Sequence, residues 1–465
     1  MELAFSAIVP VYNVENYLED CLDSIADQIT PFNEVILIND GSTDNSKRIC
    51  EDYCKRYEYF QLINQNNLGL SMARNKGIRI STGNYIVFID SDDIIMSDMV
   101  LKLKAELNDS KYDVIFYDAD VLLCGGQCHD SLNYFKRGSK FYGKDFKGLD
   151  YLMGSFPEKY IVSACMAVYK KQFILDNNIY FQNGIYFEDN DFCLRIYLLA
   201  NKIKCLNEVL YIRRCHNDSI TANRNTFKKC VDLIKVNLLI WSILNRSGVD
   251  IGFQIHLISY YFINSWRMIH ESDYYAAVQK NWNKLLKEFY DSWLKIYLSN
   301  KLAFEDKLAL MLFYSEWGEK YLPDMKYLKE QINNELIGKL RKMPLQDHNG
   351  IVGIYGIGNH TEKMLELYEK YVGDIPNDIF FIITQNIQGL TDFKGYPLTT
   401  CDNIPEKVDL IVISSLTYQE DMMEQLITVG IDENKIVKLY GEREFLDLSV
   451  VAEMLVVWEE TRECI

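Results

Sequence analysis

The chain has 465 residues, 48% of them hydrophobic and 25% charged, and a formal net charge of −17. That length is more than one ordinary core needs, so two or three domains are expected. The acidic balance argues against a nucleic-acid partner, because nothing would offset repulsion from a phosphate backbone.

The opening "MELAFSAIVPVYN" has no basic start and no long apolar segment, so no signal peptide is expected there. No apolar run reaches the roughly 18 residues that span a bilayer. Over the first hundred residues, β-rich runs alternate with helical patterns. "FSAIVPVYN" reads as a strand, and "ENYLEDCLDSIADQI" as a helix with Leu18, Cys21, Leu22 and Ile25 on one face. "EVILIND" is a second strand, followed by a helix over "GSTDNSKRICEDYCKRY" that Asp44 or Ser42 would cap. "YFQLINQ", "LSMARNKGIRIST" and "NYIVFID" continue as strand, helix and strand. Such alternation predicts right-handed crossovers and a mostly parallel sheet, with ligands beyond the carboxyl ends of the strands. Asn13, Asp40 and the Asp90–Asp93 group all fall at such ends.

"YDVIFYDAD" (112–120) and "EVLYIRRC" read as later strands of a mixed segment that also holds "GIYFEDNDFCLRIYLLANKI". From about 226 to 345 the pattern is helical and carries no chemistry of its own. Strand–helix alternation returns from about 349. The expected division is therefore 1–225, 226–345 helical, 346–445 α/β, and a tail over 446–465.

Twelve cysteines without regular spacing predict reduced thiols and a cytoplasmic setting. Cys50 and Cys54, one helical turn apart, read as core. "CGGQCHD" brings Cys124, Cys128, His129 and Asp130 close together, but no second ligand pair at zinc spacing accompanies them.

In "YIVFIDSDD" a buried strand runs into Asp90, Asp92 and Asp93. Two unit charges ~4 Å apart cost about 4 kcal/mol at an effective dielectric near 20. Three crowded carboxylates must protonate, spread apart or share a cation. Asp40 and Gly41 suit a tight turn, and Gly69 opens a helix that carries Arg74. Glu188, Asp189 and Asp191 begin another helix, where carboxylates also favour the dipole on their own account.

"AIVPVYNVENYLEDCLDSI", "EVILINDGSTDNS", "NLGLSMARNKGI" and "YIVFIDSDD" together resemble family 2 glycosyltransferases of the GT-A fold, closely over 4–100 and more loosely to about 225. The resemblance implies an α/β nucleotide-sugar-binding domain with a mostly parallel mixed sheet. It also implies roles for individual residues. Asp40 would contact the base or ribose of a nucleoside-diphosphate sugar, with Pro10, Val11 and Tyr12 lining the pocket and Asn13, Gly69 and Ser91 completing it. Asp90 and Asp92, the D-x-D pair, would hold the ribose and a Mg²⁺ or Mn²⁺ on the diphosphate, with His216 as a further ligand. Arg74 would lie on the diphosphate side. Asp189 would be the general base for an acceptor hydroxyl, in one in-line displacement that inverts the anomeric centre, with Glu188 orienting it or binding acceptor. Arg213, Arg214 and His216 of "YIRRCHNDSIT" would close over the donor, or form an exposed basic loop.

The nearest match to the Q-x-x-R-W of processive polymerases is "INSWR" (263–267), which lacks the Gln and reverses the Trp–Arg order. A non-processive enzyme of bacterial-type surface glycan synthesis is thus expected. Its acceptor would be a glycan or a lipid-linked saccharide, the latter bringing peripheral membrane contact. A nucleotidyltransferase would need a glycine-rich basic loop where "PVYNVENY" stands; a non-catalytic nucleotide-sugar binder is the other alternative. "GIYGIGNH" looks like a dinucleotide-binding turn, Gly356-x-Gly358-x-x-Thr361, yet "DIFFIIT" leads into Thr384–Gln385–Asn386 without an acidic ribose ligand. A Rossmann-like scaffold or interaction module is the expectation.

Overall fold

The computed structural model describes residues 3–107, 111–124, 134–216, 226–270, 272, 274, 277–278, 304–309, 325–343, 345, 350–357, 359–375, 378–383, 392–415, 418–441, 448, 450–452 and 454–455. Two compact units divide the chain: Met1–Asp250 with Asn264–Leu285, and Ile251–Ile263 with Leu286–Ile465.

The first unit opens as the alternation predicts, with β1 (Phe5–Val11), α1 (Leu18–Ala26), β2 (Glu34–Asn39), α2 (Ser46–Arg56), β3 (Phe60–Asn64), α3 (Leu70–Ile80) and β4 (Tyr85–Phe88). Every residue of β1, β2 and β4 is buried, as parallel strands covered on both faces require. Helix α1 buries Leu18, Cys21, Leu22 and Ile25, the stripe seen in the sequence. Parallel register sets Val11 beside Asn39 and Asn39 beside Asn64, so the strand ends lie in one row.

The remainder is mixed. It comprises β5 (Ile94–Ile95), α4 (Met99–Glu106), β6 (Val114–Leu123), β7 (Asp145–Phe146), α5 (Gly148–Ser155), β8 (Ala167–Lys170), α6 (Lys171–Asp176), α7 (Glu188–Leu199) and β9 (Ile203–Cys215). Among the described residues the sheet has nine strands in the order β3-β2-β1-β4-β8-β6-β9-β5, with β7 pairing β9. Strand β8 enters antiparallel between β4 and β6, while β9 runs parallel to β6. Strand β9 is longer than "EVLYIRRC" suggested, and it carries Tyr211, Arg214 and Cys215 to the edge where β4 ends. Helices α8 (Phe227–Ser247) and α9 (Ile251–His270) follow; residues 251–263 of α9 fall in the second unit.

In the second unit, α10 (Met325–Leu340) precedes β10 (Ile351–Tyr355), α11 (Asn359–Tyr371), β11 (Ile379–Ile383), β12 (Asp392–Phe393), β13 (Tyr396–Thr400), β14 (Val408–Ile413), α12 (Gln419–Thr428) and β15 (Ile436–Lys438). The sheet order is β12-β13-β11-β10-β14-β15, parallel except at β12. It is a small Rossmann-like module with its own core, built around Tyr355, Ile382, Ile411 and Ile413. After β10 the chain turns at Gly356 with φ +113°. There the buried hydroxyls of Thr361 and Ser414 lie 2.9 Å apart, and each also donates to backbone, Thr361 to the Gly356 carbonyl and Ser414 to that of Tyr355. Gly358 and 384–386 lie outside the described residues, as do Cys128, His129 and Asp130; Cys124 is exposed. Cys50 is buried on α2 and Cys54 is partly exposed there. Among the described residues, no helix is long and apolar enough to cross a membrane.

Candidate active site

At the ends of β1 and β2, Asp40 is tied to β1 by its amide, which donates to the Val11 carbonyl at 2.9 Å. Its carboxylate accepts from the amides of Leu68 and Gly69 and from Gln65 Nε2, each at 2.8 Å. Asp40 thus braces the loop that leads into α3. Gly41 beside it has φ +76°, and a Cβ there would stand 2.9 Å from the Asn67 amide nitrogen, so glycine is required. Pro10 and Val11 are buried in β1, while the Tyr12 ring is exposed at the rim. Asn13, at φ 47°, accepts from the Thr43 amide at 2.8 Å and so locks the two turns together. The expected cap of α2 differs in detail. Asn45 occupies the N-cap, and Asp44 just outside it accepts from the amides of Ser46 and Glu15 at 3.0 Å.

The three carboxylates after β4 diverge. Asp90 points to Arg74, with Oδ1 2.8 Å from Nη2. Asp92 points to His216, with Oδ2 2.9 Å from Nε2. Asp93 is buried beneath both: its Oδ2 accepts from the Tyr211 hydroxyl at 2.7 Å and its Oδ1 from the Arg214 amide at 2.7 Å. Burial pushes the Asp93 carboxyl well above the usual range, and Asp92 and Asp90 add to the rise. The Tyr211 oxygen also accepts from the Asp90 amide at 3.1 Å, so one phenol holds both ends of the turn. No helix follows directly; β5 begins at Ile94. Asp93 therefore fastens the D-x-D turn to β9. Ser91 is buried within the turn.

The His216 ring packs against Tyr17, tilted by 34° with centroids 4.1 Å apart, and its buried Nδ1 has no hydrogen-bond partner among the described residues. The Arg214 guanidinium lies 5.2 Å from the Tyr17 ring centroid and is 2.9 Å from Asp20 Oδ2. Arg213 lies over Phe135 at 5.1 Å. The basic segment is thus partly folded into the site wall.

The junction of the cluster is Arg74, 1% exposed on α3. Besides Asp90, its Nη1 meets Glu188 Oε1 and Asp189 Oδ1, both at 2.9 Å. Desolvation alone would lower the pKa of this guanidinium; Asp189, Asp90 and Glu188 outweigh it and hold the charge firmly. The carboxylates respond in kind. Burial, reinforced by Asp189 and only partly offset by Arg74, pushes Glu188 up to about 7. Burial also raises Asp189 despite Arg74, and Asp90 adds to the shift. The second Asp189 oxygen accepts from the Ala164 amide at 3.1 Å. Phe187, just before the pair, is left-handed at φ 65°, a conformation that costs a non-glycine residue about 1–3 kcal/mol.

The structure thus joins Arg74, Asp90, Glu188 and Asp189 directly, with Asp92 and His216 alongside, whereas Asp40 engages 65–69. Arg74, expected on the diphosphate side, meets the carboxylates of Asp90, Glu188 and Asp189. Sequence reading missed Tyr211, Tyr17 and Ala164. Tyr211 lies in the very stretch singled out for its basic residues, but nothing in a period-2 pattern marks one tyrosine as a latch.

Among the described residues, no group of three or more His, Cys, Asp and Glu side chains is arranged to hold a metal ion by itself. Asp90 and Asp92 are nevertheless 36% and 27% exposed, and each has one oxygen engaged by a side chain and a second uncommitted among the described residues. Two hard carboxylate oxygens fit a divalent cation that takes its other ligands from a bound diphosphate and water.

An open-edged, mostly parallel α/β sheet with a D-x-D turn at the carboxyl ends of its strands defines a GT-A-like domain. The family model for glycosyl transferase family 2 matches residues 6–172. Glycosyltransferase GlyG of Streptococcus pneumoniae is 31% identical over 251 residues, which is 51% of this chain and 79% of GlyG. The chain belongs to glycosyl transferase family 2. The uncharacterized glycosyltransferase EpsJ of Bacillus subtilis is 34% identical over 46% of this chain, and the match spans 62% of EpsJ. Glycosyltransferase GlyA of Streptococcus pneumoniae is 35% identical over 46% of this chain and 31% of its own length. In fold, S. aureus TarS in complex with UDP-GlcNAc superposes with a TM-score of 0.50 at 19% identity, covering 71% of this chain and 88% of that one.

Proposed function

We propose that the protein is a non-processive, inverting glycosyltransferase that moves a sugar from a nucleoside-diphosphate donor to an acceptor hydroxyl with the help of Mn²⁺ or Mg²⁺. The catalytic domain is assigned to 1–225, with a helical part over 226–345, a Rossmann-like part over 346–445 and a tail over 446–465. The observation that carries the reading is the bridge through Arg74 from Asp90 to Asp189. It supports a single centre in which the donor-side carboxylate and a candidate base are held by one guanidinium.

In this reading Asp40, Pro10, Val11, Tyr12, Asn13, Gly69 and Ser91 form the nucleotide pocket. Asp90 and Asp92 would hold the cation through their uncommitted oxygens and so neutralise charge on the departing diphosphate, while His216, expected as a further ligand, has its Nε2 on Asp92 and orients that carboxylate. Asp189 takes the acceptor proton, and Glu188 shares that proton and orients the acceptor. Arg74 keeps Asp189 from being neutralised in a buried setting. The UDP-GlcNAc bound to TarS and the relatives' glycosyltransferase names make UDP-sugars the first donors to try and a surface glycan the first acceptor class.

The test is thermal shift with UDP-, GDP-, CDP- and dTDP-sugars, each with Mn²⁺, with Mg²⁺ and without metal. One donor should raise the melting point in a Mn²⁺-dependent way, because a ligand that binds only the folded state stabilises it. The gain should vanish in Asp92→Ala. If no donor stabilises the protein with either metal, the reading fails. A non-catalytic binder would show the same shift but would release no nucleoside diphosphate from the bound donor.

A further inference from the structure

The turn that presents Glu188 and Asp189 contains two left-handed residues within four, Gly184 at φ 71° and Phe187 at φ 65°. Left-handed backbone at a phenylalanine persists only where surrounding contacts over-determine it. At Phe187 itself, Asn190 of α7 donates to the carbonyl from its amide at 3.2 Å and its side chain at 2.9 Å; the residues just before it are held from α8, a helix whose sequence promised no chemistry and which lies in the same compact unit as the site.

Asp232 on α8 is fully buried. Its Oδ2 accepts from the Tyr186 amide at 3.1 Å and its Oδ1 from Lys235 Nζ at 2.8 Å. Lys228, one turn earlier, bonds the same Oδ2 and donates to the Gly184 carbonyl at 2.8 Å. Lys228 Nζ also sits 4.6 Å from the centroid of the Tyr186 ring. A buried carboxylate needs such partners; burial alone would raise its pKa, and Lys228, Lys235 and the Tyr186 amide together hold it below the ordinary range. One charged pair thus grips the carbonyl at the start of the turn and the amide just before Phe187.

We propose that Asp232 and Lys228 are positioning residues for the transfer reaction: they fix the Gly184–Phe187 turn and so set where α7 begins and where Glu188 and Asp189 stand. This rests on the reading of Asp189 as the base. The two side chains touch neither acceptor nor donor and act only through the turn. A misplacement of about 1 Å at a reacting group can cost roughly a hundredfold in rate, so the clamp should be read in kcat rather than in donor affinity.

The experiment compares wild type with Lys228→Met, Asp232→Asn and Asp232→Ala in the full chain. Amide exchange over 184–189 is followed by mass spectrometry, and kcat and KM are measured as nucleoside-diphosphate release from the nucleotide-sugar panel with Mn²⁺, the sugar passing to an added saccharide hydroxyl or, in its absence, to water. Exchange at 184–189 should accelerate in all three variants. In turnover, kcat should fall roughly ten- to a hundredfold in Lys228→Met and Asp232→Ala while KM for the donor stays within about twofold. Asp232→Asn keeps an acceptor for the Tyr186 amide and should lose less. Should Asp232→Ala fail to fold, Lys228→Met carries the test, because Lys228 is half-exposed. Unchanged exchange in Lys228→Met and Asp232→Asn, or a loosened turn with wild-type kcat, overturns the proposal. Wild type that turns over no donor overturns the transferase reading instead, and the exchange arm still decides whether the clamp exists.

Discussion

At the scale of single residues, the acidic site is arranged so that each charge has its own partner. Asp90 leans on Arg74, Asp92 on His216, and Asp93 on Tyr211 and the Arg214 amide. Of the three ways to relieve a crowded set of carboxylates, the fold spreads Asp90 and Asp92 apart and raises the buried Asp93 toward its protonated form, which leaves two outward oxygens for a cation. Asp189→Asn should lower turnover roughly a hundredfold to ten-thousandfold, the usual worth of a general base, with donor binding retained. The pH dependence follows from the buried pair. Glu188 and Asp189 are both raised, Glu188 to about 7, so below that pH the pair holds a proton and Asp189 is a poor base. Turnover should therefore climb as pH rises through about 7, and in Arg74→Lys the climb should move to higher pH as the bidentate fork is lost. Stability runs the other way. A carboxyl raised in the folded state contributes stability at pH below the ordinary carboxylate range and loses it as pH rises through about 7. The urea midpoint should fall more steeply between pH 5 and 8 in wild type than in Glu188→Gln.

At the scale of elements, the chemistry depends on how α3 packs. Gly77 lies on its buried face, and a Cβ there would stand 2.3 Å from Ile8 Cγ2 of β1. Gly77→Ala should destabilise the protein by about 1–3 kcal/mol through overpacking, measured by urea denaturation, and should displace Arg74 one turn away. The alternation of the first hundred residues made β1 to β4 and their helices legible, because buried parallel strands read as apolar runs and α1 as a 3.6-residue stripe. The D-x-D turn and the Glu188–Asp189 pair were legible from residue type and place. The bridge from Arg74 to Glu188 and Asp189 was not, because it joins α3 to α7 across more than a hundred residues and leaves no local pattern. The same is true of Asp93 and Tyr211, and of Asp232, whose buried carboxylate sits on a helix that reads as merely apolar.

At the scale of the molecule, each compact unit has its own sheet and its own core, and the residues of the candidate site all fall in Met1–Asp250. A donor with Mn²⁺ should therefore slow amide exchange at the ends of β1, β2 and β4 and around 186–190 and 211–216, with little change in β10, β11 and β14. Protection concentrated in the Gly356 turn instead would move the nucleotide site to the Rossmann-like module. The claim on which everything else depends is that Asp189 does the proton chemistry at a donor site built by other residues. It is tested most directly by measuring nucleoside-diphosphate release and donor affinity side by side in wild type and Asp189→Asn, with Mn²⁺ and the donor that stabilises the protein. Turnover in Asp189→Asn should fall at least about a hundredfold with affinity unchanged; wild-type turnover in that variant would contradict the role of Asp189 as base.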